Sequence, residues 1–205
     1  MPVSQISRAA IGGSAAIMRA VRDPDCQLAI WHRAPPFAAA DLLAQAQGNV
    51  RLMTTRDDLV PDFCRAIRRA GYRPSRAREA LIADVADLAE IFAAIVRSDA
   101  IEVRLEIVDT DSCRKFHADF VRARLITTYA GPGTEWLDDE DAARVKRGEE
   151  PRRIHALQAG EVGIFKGRLA SDRPAIHRSP PIAGLGVRRL LLAINPEDET
   201  LMESK

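Results

Sequence analysis

Strict alternation marks one strand clearly. In IEVRLEIV, residues 101–108, Ile101, Val103, Leu105 and Ile107 fall on one face, and Glu102, Arg104 and Glu106 on the other. Successive strand side chains point to opposite faces, so this segment predicts a half-buried strand. Upstream the period changes. Ile82, Val85, Ala89, Phe92 and Val96 form the stripe of an amphipathic helix over roughly 76–97, with Ser75 as its N-cap. Pro61 and Gly71 suit the first turn and the end of a second helix, and 37–48 (FAAADLLAQAQG) predicts a third, closed by Gly48. The Ala-rich segment around 9–20 predicts a short helix, and CQLAIW (26–31) and RLMTT (51–55) predict short strands. Downstream of Asp99, the segments FHADF, VRARLITTY, ALQAGEVGIFKG, AIHRSPP and RRLLLAIN follow one another with Gly and Pro clusters between them. The expectation is an α+β chain, with a mainly helical support over 1–98 and a β-rich core over 99–205, joined in one compact unit.

At 205 residues and 46% hydrophobic content, such a chain can bury a core without disulfide or metal staples. Thirty basic and 29 acidic residues leave a net charge of +1, so no field of one sign points to nucleic acid or membrane as a partner. Cys26, Cys64 and Cys113 are odd in number and far apart, which predicts free thiols in a reducing compartment. Arg8 and the Gly12–Gly13 pair interrupt any apolar leader segment, and no run approaches the ~20 apolar residues of a membrane span. The expected location is cytoplasmic. The charged stretch between Trp136 and Arg153 reads as a solvated loop or short exposed helix, with a mobile lid as the functional alternative. The acidic tail after Pro196 is expected to fray.

The chemistry gathers in CRKFHADFVRARLITTYAGPGTEW, residues 113–136. His117 and Asp119 stand two apart, so on a strand they share a face. An imidazole and a carboxylate together make two thirds of the 2-His-1-carboxylate triad that leaves open positions on a ferrous ion. His177 is the candidate third ligand. Cys113 offers a different ending: with His117, Asp119 and His177 it would complete a closed tetrahedral zinc site. Its other reading is a small buried hydrophobe. Tyr129 and Trp136 read either as pocket walls, with the Tyr129 hydroxyl reaching a co-substrate, or as core. Arg122 and Arg124 read as partners of Glu102 and Glu106, or as an anion clamp. His32 and His155 read as ordinary strand-end and surface histidines. GPGTEW lacks the Lys-Ser/Thr of a phosphate-binding loop, and no GxSxG elbow is present.

CRKFHADF, TYAGPGTEWL, AGEVGIFKG and HRSPP with RRLLL resemble the DUF1826 family, an uncharacterised bacterial group, over most of the chain. In looser fashion, the order HxD, TY strand, Gly-rich turn, GEVGIF strand, His and Arg is similar to prolyl-hydroxylase-like 2-oxoglutarate/Fe(II) oxygenases. That resemblance implies a C-terminal double-stranded β-helix, cupin or jelly-roll-like, with the helical half packed on it. It implies iron on His117, Asp119 and His177, and 2-oxoglutarate held by Arg189 or Arg188, Arg189 being preferred. Two features depart from the pattern: GPGTEW replaces the Gly-Gly-x-Thr turn, and the arginine lies slightly farther from His177. The functional expectation is an oxygenase of unknown substrate. The alternative is a non-catalytic zinc protein of storage or homeostasis using the same ligands plus Cys113. A third reading, an interaction module with incidental histidines, requires His117 and His177 to lie far apart.

Overall fold

The computed structural model describes residues 4–6, 8–45 and 48–197; the acidic tail lies outside them. In chain order the strands are β1 (Ser4–Ile6), β2 (Ala9–Gly12), β3 (Leu28–Trp31), β4 (Val50–Thr55), β5 (Ala100–Val108), β6 (Ala123–Ala130), β7 (Glu135–Trp136), β8 (His155–Ala156), β9 (Val162–Lys166), β10 (His177–Arg178) and β11 (Arg189–Pro196). The helices are α1 (Ala40–Gln45), α2 (Leu59–Arg69), α3 (Arg76–Val96) and α4 (Asp139–Lys146), with a 3-10 helix, Ala15–Arg22, between β2 and β3.

The result is a mixed α/β fold with a large sheet in the order β1-β2-β3-β9-β6-β11-β5-β4 and a small one in the order β10-β7-β8. All pairings are antiparallel except β2 with β3. The large sheet has two covered faces, and strand alternation assigns each residue to one of them. Ile101, Val103 and Leu105 of β5, Leu125 of β6, Ile164 of β9 and Leu190, Leu192 and Ile194 of β11 join a cluster with Phe63 and Ile67 of α2 and Leu81, Val85, Leu88 and Phe92 of α3. Phe92 and Leu88 are fully buried there. Burying a side chain of that size contributes roughly 1.5–3 kcal/mol. On the other face Ile11, Leu28, Ile30, Ile126 and Phe165 meet Trp136 and Leu157 from the small-sheet side.

Helix α3 starts where its cap requires: the Ser75 hydroxyl accepts from the Arg78 N–H at 3.1 Å, and the helix ends at Arg97 in the left-handed region. The expected boundary near residue 99 does not separate helix from sheet. The first 98 residues supply β1 to β4, half of the strands of the large sheet. The 9–20 segment likewise splits into β2 and the 3-10 helix, because β2 is only four residues long and too short to display a period. The charged stretch after Trp136 folds as α4. Its buried Asp141 accepts the backbone N–H groups of Arg152 at 2.6 Å and Arg153 at 2.9 Å, tying the two ends of the insertion together. Among the described residues, no helix is long and apolar enough to cross a membrane.

Candidate metal centre

His117 and Asp119 lie in the irregular connection between β5 and β6 rather than on a regular strand. A single antiparallel bridge still holds them: the His117 N–H donates to the His177 carbonyl, and the His177 N–H to that of His117, each at 2.9 Å. Ala118 between them is buried, so His117 and Asp119 project together as the i, i+2 spacing requires. The bridge brings the two imidazoles into contact, with ring centroids 4.8 Å apart. That excludes the arrangement of distant, incidental histidines. Phe165 stacks at a tilt against His177, with centroids 4.7 Å apart, and fixes the plane of its ring.

Ligand atoms of His117, Asp119 and His177 all lie within 4.8 Å of one another. The Asp119 Oδ1 is 3.7 Å from the His117 Nε2, and its Oδ2 is 3.3 Å from the His177 Nε2. Each Nδ1 faces a backbone carbonyl, Lys115 for His117 at 2.8 Å and Ala175 for His177 at 3.4 Å. A carbonyl only accepts, so each Nδ1 carries a proton, and the Nε2 is the ring atom turned toward Asp119. Asp119 and His177 are buried, while His117 is half-exposed. Burial works against ionisation of Asp119, yet the imidazoles of His117 and His177 and the Arg124 guanidinium hold its carboxyl far below the usual carboxylate range. The same carboxylate raises the His117 pKa. The Asp119 Oδ2 is buried and has no hydrogen-bond partner.

A cavity of about 410 Å³ opens beside the cluster, lined among others by Arg104, Glu106, Cys113, Arg124, Arg178 and Ser179. Cys113 is exposed, in a left-handed conformation (φ 59°), and its thiol lies outside the group of converging ligand atoms. Arg189 and Arg188 separate as strand alternation demands. Arg188 is exposed, whereas Arg189 is fully buried. Its Nε donates to the Pro132 carbonyl at 2.7 Å, one terminal nitrogen to the Ser179 hydroxyl at 3.0 Å, and the other to the Thr128 and Thr134 hydroxyls at 3.3 and 3.4 Å. Ser179 and Thr134 also line the cavity. Burial lowers the Arg189 pKa to about 10, which still leaves it charged at neutral pH. Among the described residues it has no carboxylate in ion-pair range.

Tyr129 does not reach this site. It shares the helix-facing side of β6 with Leu125, packs on Phe37, and donates to the Asp84 carboxylate at 2.7 Å. Trp136 is core between the sheets, and His155, half-buried rather than superficial, stacks on it with centroids 4.3 Å apart. His32 sits exposed at the end of β3, paired with Glu161. Thr128, Thr134 and Ser179 gave no sequence signal beyond the alternation of β6 and the position of Ser179 two residues after His177.

Among solved structures, the chain is similar to a rice dioxygenase for auxin oxidation (16% identity, TM-score 0.45, covering 78% of this chain and 63% of that one). It is also similar to a bsmA homologue from Methylobium petroleophilum (14%, 0.46, 88% and 91%) and to a Pseudomonas putida prolyl-4-hydroxylase (17%, 0.38, 80% and 97%). The chain thus spans less than two thirds of the rice enzyme. At these identities and scores the likenesses carry no weight for the chemistry, which is read from the chain's own side chains. No curated protein matches the sequence. Residues 12–195 match the model of a family described as "Protein of unknown function (DUF1826)", and the chain belongs to that family.

Proposed function

We propose that this protein is a mononuclear non-haem metal protein acting as an Fe(II)/2-oxoglutarate-dependent oxygenase, built on a jelly-roll of the two facing sheets. One observation carries the reading: two Nε2 lone pairs and a partnerless carboxylate oxygen converge on one point. All three are acceptors, so none satisfies another unless a proton or a cation sits between them. Two imidazoles and one carboxylate fit a first-row divalent metal and leave positions open beside the cavity. With the Cys113 thiol outside the group, the four-ligand zinc alternative lacks its fourth member.

Ferrous iron and 2-oxoglutarate, when bound, supply the oxidising chemistry with O2 as the oxidant. The chain's residues do the holding. His117, Asp119 and His177 are the ligands, and Arg189 receives the far carboxylate of 2-oxoglutarate. A buried guanidinium without a direct ion pair among the described residues is costly, and a ligand carboxylate reduces that cost. The planar fork of arginine suits this role, with the Ser179 and Thr134 hydroxyls beside it. The cavity lies within the roughly 300–1,000 Å³ of small-molecule sites, room for a co-substrate and part of a small substrate.

The test is anaerobic addition of Fe(II) and then 2-oxoglutarate to purified protein, watching for the visible charge-transfer band of a chelated co-substrate. The expected result is a band in the wild type that is absent from His177→Ala. Tightly held zinc with no band refutes the oxygenase reading.

A further inference from the structure

We propose that Arg124 is a positioning residue for the metal: it occupies one oxygen of Asp119 and holds the carboxylate to ligation through the other. Asn195 and Glu102 fix Arg124 from behind. This inference rests on the reading of His117, Asp119 and His177 as ligands, and adds how their geometry is kept.

The Arg124 guanidinium donates to the Asp119 Oδ1 at 2.7 Å, a charge-assisted bond that leaves Oδ2, which has no hydrogen-bond partner, as the oxygen available to ligate. A carboxylate left to itself can chelate a divalent ion through both oxygens and so consume one of its open positions. With Oδ1 engaged, chelation requires breaking the ion pair with Arg124. The arginine is not free to swing away. Its Nε donates to the Asn195 Oδ1 at 2.7 Å, and the Asn195 Nδ2 donates to the Glu102 Oε2 at 2.8 Å. Asn195 is thus read at both ends of its amide, oxygen toward a cation and nitrogen toward an anion, so only one orientation satisfies both neighbours. Glu102 is wholly buried and receives Arg104 at 2.8 Å and Arg51 from the edge strand β4.

Sheet register explains why these groups meet. Asn195 pairs with Glu102 across β11 and β5, and lies one step beyond the Ile194–Leu125 pair across β11 and β6. Arg124, Asn195 and Glu102 therefore form a row across three adjacent strands, on the face toward the metal centre. Outer partners of this kind orient ligands, and their loss costs about 10- to 100-fold in metal affinity.

The experiment titrates metal-free full-length protein with Co(II), reading affinity by calorimetry and coordination by the visible d–d bands. Arg124→Lys keeps the charge but replaces the fork with one ammonium, which cannot bridge Asp119 and Asn195 in the same way. Its Co(II) affinity should fall by roughly 10- to 100-fold, with a changed band pattern. Asn195→Leu, close in size, should change the bands in the same direction with a smaller loss of affinity. Tyr129→Phe, on the opposite face, should move neither reading. Wild-type affinity and bands in both Arg124→Lys and Asn195→Leu overturn the proposal. So does a lowered melting temperature of the metal-free variants with unchanged Co(II) binding, the pattern of a purely structural role. Failure of the wild type itself to bind Co(II) removes the ligand assignment, and the proposal with it.

Discussion

Replacing Arg189 by methionine separates folding from co-substrate binding. Methionine keeps an unbranched apolar stem in the place of the arginine stem while deleting the charge and every donor. Four hydrogen bonds disappear, to Pro132, Ser179, Thr128 and Thr134. Three of the acceptors are hydroxyls that can rotate to new partners, two of them beside the cavity. The Pro132 carbonyl cannot rotate, and leaving it unsatisfied costs about 1–3 kcal/mol. Against this, a fully buried guanidinium with no direct ion pair among the described residues carries a desolvation penalty of several kcal/mol, only partly offset by the more distant Glu135 and Glu106, and the variant is spared it. The two terms oppose each other, so stability should stay within about 2 kcal/mol of wild type. Binding of 2-oxoglutarate has no such compensation. Truncating one partner of a buried charge pair costs about 2–5 kcal/mol, or roughly 30- to several-thousand-fold in Kd. The assay is titration of Fe(II)-loaded protein with 2-oxoglutarate under anaerobic conditions, following the charge-transfer band, with chemical denaturation in parallel. Metal affinity should not change, because Arg189 bonds none of the three ligands. Wild-type affinity for 2-oxoglutarate in Arg189→Met would refute the assignment of this arginine as the carboxylate clamp.

Tyr129→Phe should destabilise the fold by about 1.5–3 kcal/mol, the net worth of one hydrogen bond to a charged group, while metal and 2-oxoglutarate titrations remain as in wild type; a weakened titration would contradict its position on the helix side. A Cβ at Gly133 would lie 1.8 Å from the Leu157 carbonyl oxygen, so Gly133→Ala must push the 132–134 turn away from β8. Thermal melts should show a marked loss of stability, and the folded fraction should bind 2-oxoglutarate more weakly, because Pro132 and Thr134 both hold Arg189. For Glu102, burial opposes ionisation, but Asn195, Arg104 and Arg51 outweigh it and hold the pKa below its ordinary value. A depressed folded pKa stabilises above the unfolded pKa, near 4.3, and that stability is lost as pH falls through the folded value. Urea unfolding should therefore show wild type losing more stability than Glu102→Gln as the pH drops from about 5 toward 2; parallel pH profiles would remove Glu102 as a net stabiliser.

Periodicity reached the large elements and stopped at the short ones. The stripe on α3 and the alternation of β5 were plain because each repeats several times within a window. Strands β1 to β3 span only three or four residues apiece, so their membership of the large sheet rests on pairings that no local pattern displays. The meeting of His117, Asp119 and His177 was legible for a different reason. HxD is a local spacing, and a two-residue spacing keeps both side chains on one side even where, as here, the backbone is only a single bridge.

The surroundings of the triad depend on register, which is why they were harder to read. Alternation predicts that only one of Arg188 and Arg189 turns inward, but the choice depends on where β11 joins β5 and β6. The β6–β11 pairing also shifts register between Leu190 and Leu191, which no count along the chain anticipates. Arg124 illustrates the same limit. Pairing with Glu102 was the simple expectation from charge, and the two do belong to one network, but Asn195 stands between them on β11. With the intervening strand in place, a cation expected to neutralise the core carboxylate of Glu102 instead donates to the carboxylate of Asp119. The sheet order β6-β11-β5 therefore carries a chemical consequence: it connects buried Glu102 on β5, through the Asn195 amide on β11, to Arg124 on β6 and so to the Asp119 carboxylate beside His117 and His177.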